Sequence, residues 1–280
     1  MKMSQLGNIL VAAGALSAAC GALSVLVVLR RWAFIGEGIG HAGFGGVGVA
    51  WLLSLALPAM AEPSATYAMA VGCSLLTAMG IGWVSRRSVP ADTAIGVFLV
   101  AALAMGFLAQ AIYRHIHHAF PPNWEVALAG ELHGVSLSYA LAAVGLAAGV
   151  LLVLVALGKE IISYCFDPVL AQSSGVRVGA IHYLLIGLVA LTIVFAMKLM
   201  GPLLVTALLI LPGAAALQLS RKMKQVMFLA VGLGMLAAVA GALVRLKWAF
   251  VPPGPAMAMA LLLEFAVAYA ISPQRRARPV

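Results

Sequence analysis

Acidic side chains are scarce: the chain carries eight Asp and Glu among 280 residues, against 17 Lys and Arg. All charged residues together make up 9% of it, while 64% is hydrophobic and the mean hydropathy is +1.10. A soluble domain of this length has no use for so much apolar surface. The three cysteines, Cys20, Cys73 and Cys165, are far apart and form no C-x-x-C, so they argue for neither a disulfide framework nor a redox pair. Cys20 and Cys73 lie in apolar runs, where a thiol behaves as a small hydrophobe. No G-x-x-x-x-G-K-[ST] occurs, which excludes ATP binding through a P-loop in this chain, and G-x-S-x-G and H-E-x-x-H are also missing. Gly38-Ile39-Gly40-His41-Ala42-Gly43 does fit G-x-G-x-x-G, but no strand precedes it and no βαβ unit can be built around it.

What is present is a series of eight or nine apolar runs, most of them near the roughly 20 residues a spanning helix needs. The chain reads as all-α and polytopic, a single transmembrane domain over 1–280 with eight to nine crossings. Helices are expected at about 6–29, after the Glu37/His41 stretch to near Met60, 65–84, 92–113, 137–157, 181–197, 201–219, 226–244 and 255–271. Asp92 is the expected N-cap of the fourth. The stretch 126–134 is too short to span. Leu16 to Cys20 faintly resembles a lipoprotein cleavage site, but the apolar run continues to Leu29, which predicts an uncleaved first helix.

The net charge of +9 does not point to nucleic acid, because the basic residues sit in short clusters between apolar runs. Clusters at 30–31, 86–87, 159–177, 221–224 and 275–278 follow alternate helices of a nine-helix chain. The positive-inside rule then puts the N-terminus outside and the C-terminus in the cytoplasm. Arg114, Arg245, Lys247 and Lys198 do not fit this pattern. A merged or re-entrant helix near 201–219 would lower the count to eight.

Ionisable groups inside a membrane are functional candidates by default. Glu37 and His41 are the best pair. Four residues apart on a helix, they share one face one turn apart. Carboxylate and imidazole together suit zinc, manganese or ferrous iron. Seven glycines between Gly36 and Gly48 let another backbone come close. A blander reading places Glu37 in the aqueous interface near Arg30 and Arg31, with His41 as a polar packing residue. Glu264 lies in the last apolar run and reads as structural. His115, His117 and His118 either collect metal or belong to a solvated outer loop. The half-polar segment 166–177 is too short to span. Pro168 suits the first turn of a short helix and Gly175 its end, and Leu170 with Val169 and Val176 gives it an apolar face. It either docks a soluble partner or lies on lipid.

Several of these stretches resemble, in order, the metal-importing ABC permeases, the membrane subunits of zinc, manganese and iron uptake systems. They are Leu29-Arg30-Arg31 through Glu37-x-x-x-His41-Ala42-Gly43 to Val49-Ala50, then Asp92-Thr93-Ala94-Ile95-Gly96. Phe166-Asp167-Pro168 to Ser174-Gly175 follows, and then Gly201-Pro202-Leu203-Leu204-Val205-x-Ala207 to Pro212. The resemblance covers about residues 20–271. It implies a multi-pass permease of the bacterial cytoplasmic (inner) membrane. The permease would work as a homodimer with cytoplasmic P-loop ATPase subunits and an extracytoplasmic metal-binding protein. It implies no enzyme activity of the chain's own and no covalently bound cofactor; the metal is cargo. The family's acid-x-x-x-His pair maps onto Glu37 and His41, with Glu where the family usually has Asp. Asp167, Pro168, Leu170 and Gly175 map onto its coupling segment. Two other readings are weighed against it: a secondary transporter driven by an ion gradient without an ATPase, and a membrane scaffold that transports nothing.

Overall fold

The computed structural model describes residues 3–87, 89–118, 136–247 and 253–272. The stretch 126–134, Pro121, Pro122, Glu125 and the terminal Arg275, Arg276 and Arg278 lie outside them. The described residues are helical and contain no strand. In chain order the helices are α1 (Met3–Leu29), α2 (Ile35–Ser54), α3 (Pro63–Ser85), α4 (Ala91–His117) and α5 (Leu137–Ala156). Two short helices follow, α6 (Gly158–Phe166) and α7 (Pro168–Ser173). Then come α8 (Val178–Leu219), α9 (Met223–Lys247) and α10 (Pro253–Ile271). A 3₁₀ turn, Pro58–Ala61, links α2 to α3.

Seven helices among the described residues are long and apolar enough to cross a membrane: all but α2, α6 and α7. Seven is fewer than the eight to nine crossings expected: α2, expected to reach Met60, ends at Ser54 and is not apolar enough to count, and two further expectations change. The expected helices at 181–197 and 201–219 form a single 42-residue element, α8, interrupted at Gly201, whose φ of 74° and ψ of 161° are not helical. Only glycine takes that conformation at low cost. Asp92 is not the N-cap of α4: Pro90 holds that position and Asp92 lies in the first turn, so its charge faces the positive end of the helix dipole instead.

The chain divides into two compact units, one of residues 1–33, 132–181 and 203–280, the other of 34–131 and 182–202. In the first, α1 is the central helix, with α5 and α9 packed against it and α10 against α9. Backbones come close here: a Cβ added at Gly21 would stand 2.6 Å from the carbonyl oxygen of Ala230, and one at Gly234 2.8 Å from that of Ser17. Lipid tails are as apolar as leucine, so helices gain most where small residues permit this approach. α1 closes on Arg31, a non-glycine residue at φ 57°. The Trp32 N–H donates to the Val27 carbonyl and the Arg31 N–H to that of Val28, the paired bonds of a Schellman ending. The turn brings Trp32 into the core.

In the second unit α2 is central, between α3 and α4. Its glycines make both contacts. A Cβ at Gly46 would meet the Met69 carbonyl oxygen of α3 at 2.7 Å, and one at Gly45 the Ala102 carbonyl oxygen of α4 at 2.9 Å. The Ser74 hydroxyl donates to the Ile39 carbonyl across 3.1 Å, tying α3 to α2. His182, at the start of α8, is buried with Nε2 3.0 Å from the Gly82 carbonyl oxygen at the end of α3. The Arg86 guanidinium lies over the neighbouring Tyr183 ring.

Candidate metal site and coupling segment

α2 begins at Ile35, with the Gly38 N–H bonded to the Phe34 carbonyl. The helix therefore starts earlier than its apolar run and includes the acid and the histidine. Glu37 sits in the first turn, where the positive end of the helix dipole favours a carboxylate. His41 is one turn on, and its Nε2 lies 2.9 Å from Glu37 Oε2. The two side chains are 22% and 30% exposed, His41 first, on a helix otherwise buried from Ile35 through Gly48. His41 Nδ1 is buried with no hydrogen-bond partner.

This pairing has two consequences. The carboxylate orients the imidazole, and the same two atoms form a ready pair of ligands for a divalent ion. A closed tetrahedral site needs four ligands, and among the described residues no three His, Cys, Asp or Glu side chains stand where they could share an ion. Among the described residues the candidate site therefore has two potential ligands, Glu37 and His41.

The surroundings of the pair include residues that no local pattern could reveal. Met197 of α8 packs against the glycines beside His41: its sulfur would be 3.6 Å from a Cβ at Gly40 and its methyl 3.3 Å from one at Gly43. Pro202 would lie 3.4 Å from the same Gly40 position. One residue after Met197, the Lys198 ammonium stands over the Tyr67 ring at 4.8 Å. Lys198 did not fit the charge pattern of the sequence, and the face of a ring is a place where a cation is tolerated in an apolar setting.

The candidate coupling residues form a short helix, α7, begun at Pro168 and stopped at Gly175 as expected, with an N-cap in addition. Asp167 is the N-cap of α7, its Oδ1 accepting from the Val169 and Leu170 N–H groups at 2.8 and 3.0 Å. Pro168 occupies the first turn. Gly175, at φ 85°, ends it. The Gly175 N–H donates to the Gln172 carbonyl and the Val176 N–H to that of Ala171, a second Schellman ending. Inside this frame Ala171 is buried, whereas Phe166, Val169 and Leu170 are exposed, Leu170 by 65%. Val176 is only half-buried and lies beyond the helix.

The remaining candidates do not converge. His115 and His117 lie in the last turn of α4 and His118 caps it at φ 52°, all exposed, with the His117 ring 4.5 Å from that of Tyr113. Glu264 is half-buried on α10, with Oε2 lacking a hydrogen-bond partner.

A family model described as the ABC 3 transport family matches residues 2–272. The manganese transport system membrane protein MntC of Halalkalibacterium halodurans is 31% identical over 276 residues, 98% of this chain and 90% of that protein. A probable iron transport system membrane protein of Haemophilus influenzae is 31% identical over 238 residues, 84% of this chain and 82% of the other. Among solved structures, PsaBC from Streptococcus pneumoniae in complex with Fab superimposes with a TM-score of 0.79 at 27% identity, covering 99% of this chain and 95% of that one.

Proposed function

Because the chain belongs to the ABC 3 transport family, we infer that it is the membrane permease subunit of an importer that passes a divalent metal ion inward, driven by ATP hydrolysed on a separate chain. The observation that carries the metal is the 2.9 Å contact between Glu37 and His41 on a helix of the membrane domain. The relatives named for manganese and iron point to the same class of ion. Zinc, manganese and ferrous iron all suit one carboxylate and one imidazole.

The chain acts as a homodimer of single permease domains, 1–280, and two Glu37/His41 pairs would complete four ligands. Weak, transient coordination of this kind suits transit, since a conducted ion must be able to leave. An extracytoplasmic binding protein delivers the ion. A cytoplasmic P-loop ATPase docks on 166–177, where Asp167, Pro168 and Gly175 shape α7 and Leu170 supplies the apolar contact. An apolar patch on a rigid, doubly capped helix is the expected form of such a contact.

Topology follows from the same reading: N-terminus outside, C-terminus in the cytoplasm, nine crossings of a bacterial inner membrane. α2 counts as one, its hydropathy lowered by Glu37, His41 and its glycines. α8 counts as two, 178–200 and 202–219, because 42 helical residues would extend about 63 Å against a hydrocarbon core of about 30 Å. Contacts within each unit, taken by itself, agree with this orientation. In the first unit Arg30 touches Tyr164, and Val25 and Leu29 pack with Ala216, Leu217, Met223 and Val226 beside the 221–224 cluster. In the second, Arg86 lies over Tyr183.

Uptake of radioactive manganese, zinc and iron into vesicles holding the permease with its ATPase and binding protein tests the function. Uptake should require ATP and a hydrolysis-competent ATPase, and survive collapse of proton and sodium gradients. Uptake that follows the gradient and ignores ATP would make the chain a secondary transporter.

A further inference from the structure

Arg30 lies at the proposed cytoplasmic end of α1, yet besides Trp32 it contacts Tyr164 of α6, more than 130 positions along the chain. Its guanidinium carbon stands 4.4 Å from the centre of the Tyr164 ring and 5.7 Å from that of Trp32. One terminal N–H reaches the Tyr164 carbonyl at 3.5 Å, and Nε is buried without a partner. Among the described residues no carboxylate pairs with it. A guanidinium over two ring faces, with no carboxylate partner, is held by those rings and by one carbonyl. A lysine ammonium cannot reproduce that arrangement.

The surroundings make this contact rigid. Tyr164 and Trp32 are each 2% exposed, and Ile161 and Cys165 on α6 are buried as well. Trp32 is turned back by the left-handed Arg31 that closes α1. On the other side of Tyr164, only Asp167 separates the end of α6 from the start of α7. The exposed Phe166, Val169 and Leu170 begin two residues after the clamped tyrosine.

We propose that Arg30 is a positioning residue that latches α6, and with it the docking helix α7, to the base of α1, so that a push on α7 is delivered to α1 rather than lost in the linker. This rests on the reading of α7 as the ATPase contact. α1 is the helix on which the first unit is built, so a latch at its base would move α5 and α9 with it. A Cys-only-at-165 chain provides the reporter. Burial pushes the Cys165 thiol up to about 12, with the Arg30 charge acting in the opposite direction. The latched thiol is thus both covered and protonated near neutral pH.

The test uses the full complex in proteoliposomes, with Cys20→Ala and Cys73→Ala as background and Arg30→Lys and Tyr164→Leu as two independent ways to open the latch. Each should speed maleimide labelling of Cys165 at least tenfold. Each should also lower metal ions moved per ATP several-fold, with the ATPase still bound and hydrolysing at its usual rate. Tyr164→Phe, which keeps the ring and the backbone carbonyl, should match the parent in both readouts. Unchanged labelling in both opening variants, or faster labelling with an unchanged ion-to-ATP ratio, overturns the proposal. Failure of the docking reading looks different: Leu170→Asp would then leave the ATPase bound, whatever the Arg30 variants do.

Discussion

In the proposed pathway the carboxylate and imidazole of Glu37 and His41, 2.9 Å apart, hold each other until an ion arrives and then hold the ion. Glu37→Gln keeps the size and polarity and removes the charge that attracts a cation; His41→Ala removes a nitrogen ligand. Losing one charge-assisted partner costs about 1.5–3 kcal/mol. Each variant should therefore reach the membrane in normal amounts and lose uptake by about tenfold or more. Glu37→Asp should keep transport, with the balance among manganese, zinc and iron as its sensitive readout. Normal uptake per assembled complex in both Glu37→Gln and His41→Ala would remove these residues from the pathway. A second residue-scale expectation concerns pH. The Cys165 thiol, pushed from 9.0 to about 12, stays protonated in the folded chain after it would ionise in an unfolded one. The stability this contributes is complete below about pH 9 and is lost as pH rises toward 12. Alkaline melting of the Cys165→Ala chain should thus decline less steeply than that of the parent.

At the scale of single elements, α7, the proposed docking helix, is six residues long and owes its persistence to its ends. Asp167→Ala removes an N-cap worth about 1 kcal/mol, and Gly175→Ala places a side chain at a left-handed position at a cost of about 1–2 kcal/mol. Either should weaken retention of the ATPase in pull-downs without altering expression. Leu170→Asp, a charge in the centre of the exposed apolar patch, should abolish retention. The start and stop of α7 were legible in the sequence, because Pro168 and Gly175 act on their immediate neighbours; the Asp167 cap was not read there, and Val176, expected on the apolar face, lies beyond the helix. The spanning helices were legible for a similar reason: twenty apolar residues in a row leave few alternatives in lipid. Asp92 was misread as a cap because the preceding Pro90 already occupies that position. The glycines of α2 announced close packing but not its partners, and Met197, like the Arg30–Tyr164 contact, arises from segments more than a hundred residues apart. No local period encodes such pairs.

For the whole molecule, the proposed topology puts position 173 in the cytoplasm. A single cysteine there, on a cysteine-free background, should be labelled by an impermeant maleimide only after the membrane is opened. Labelling in intact cells would invert every orientation assigned above. The same scale bears on how the chain is made. Between 178 and 219 its charged residues reduce to Lys198, and no polar loop marks where one crossing ends and the next begins. Only Gly201, in a backbone conformation that other residues adopt at a cost of about 1–3 kcal/mol, separates the halves. On the nine-crossing reading the insertion machinery meets no aqueous segment between the two halves, so they should be inserted in quick succession. A ribosome-bound chain truncated soon after Gly201 would hold an unfinished pair. On that reading, slowing translation through 202–219 should raise the share of chains that insert only one of the two crossings.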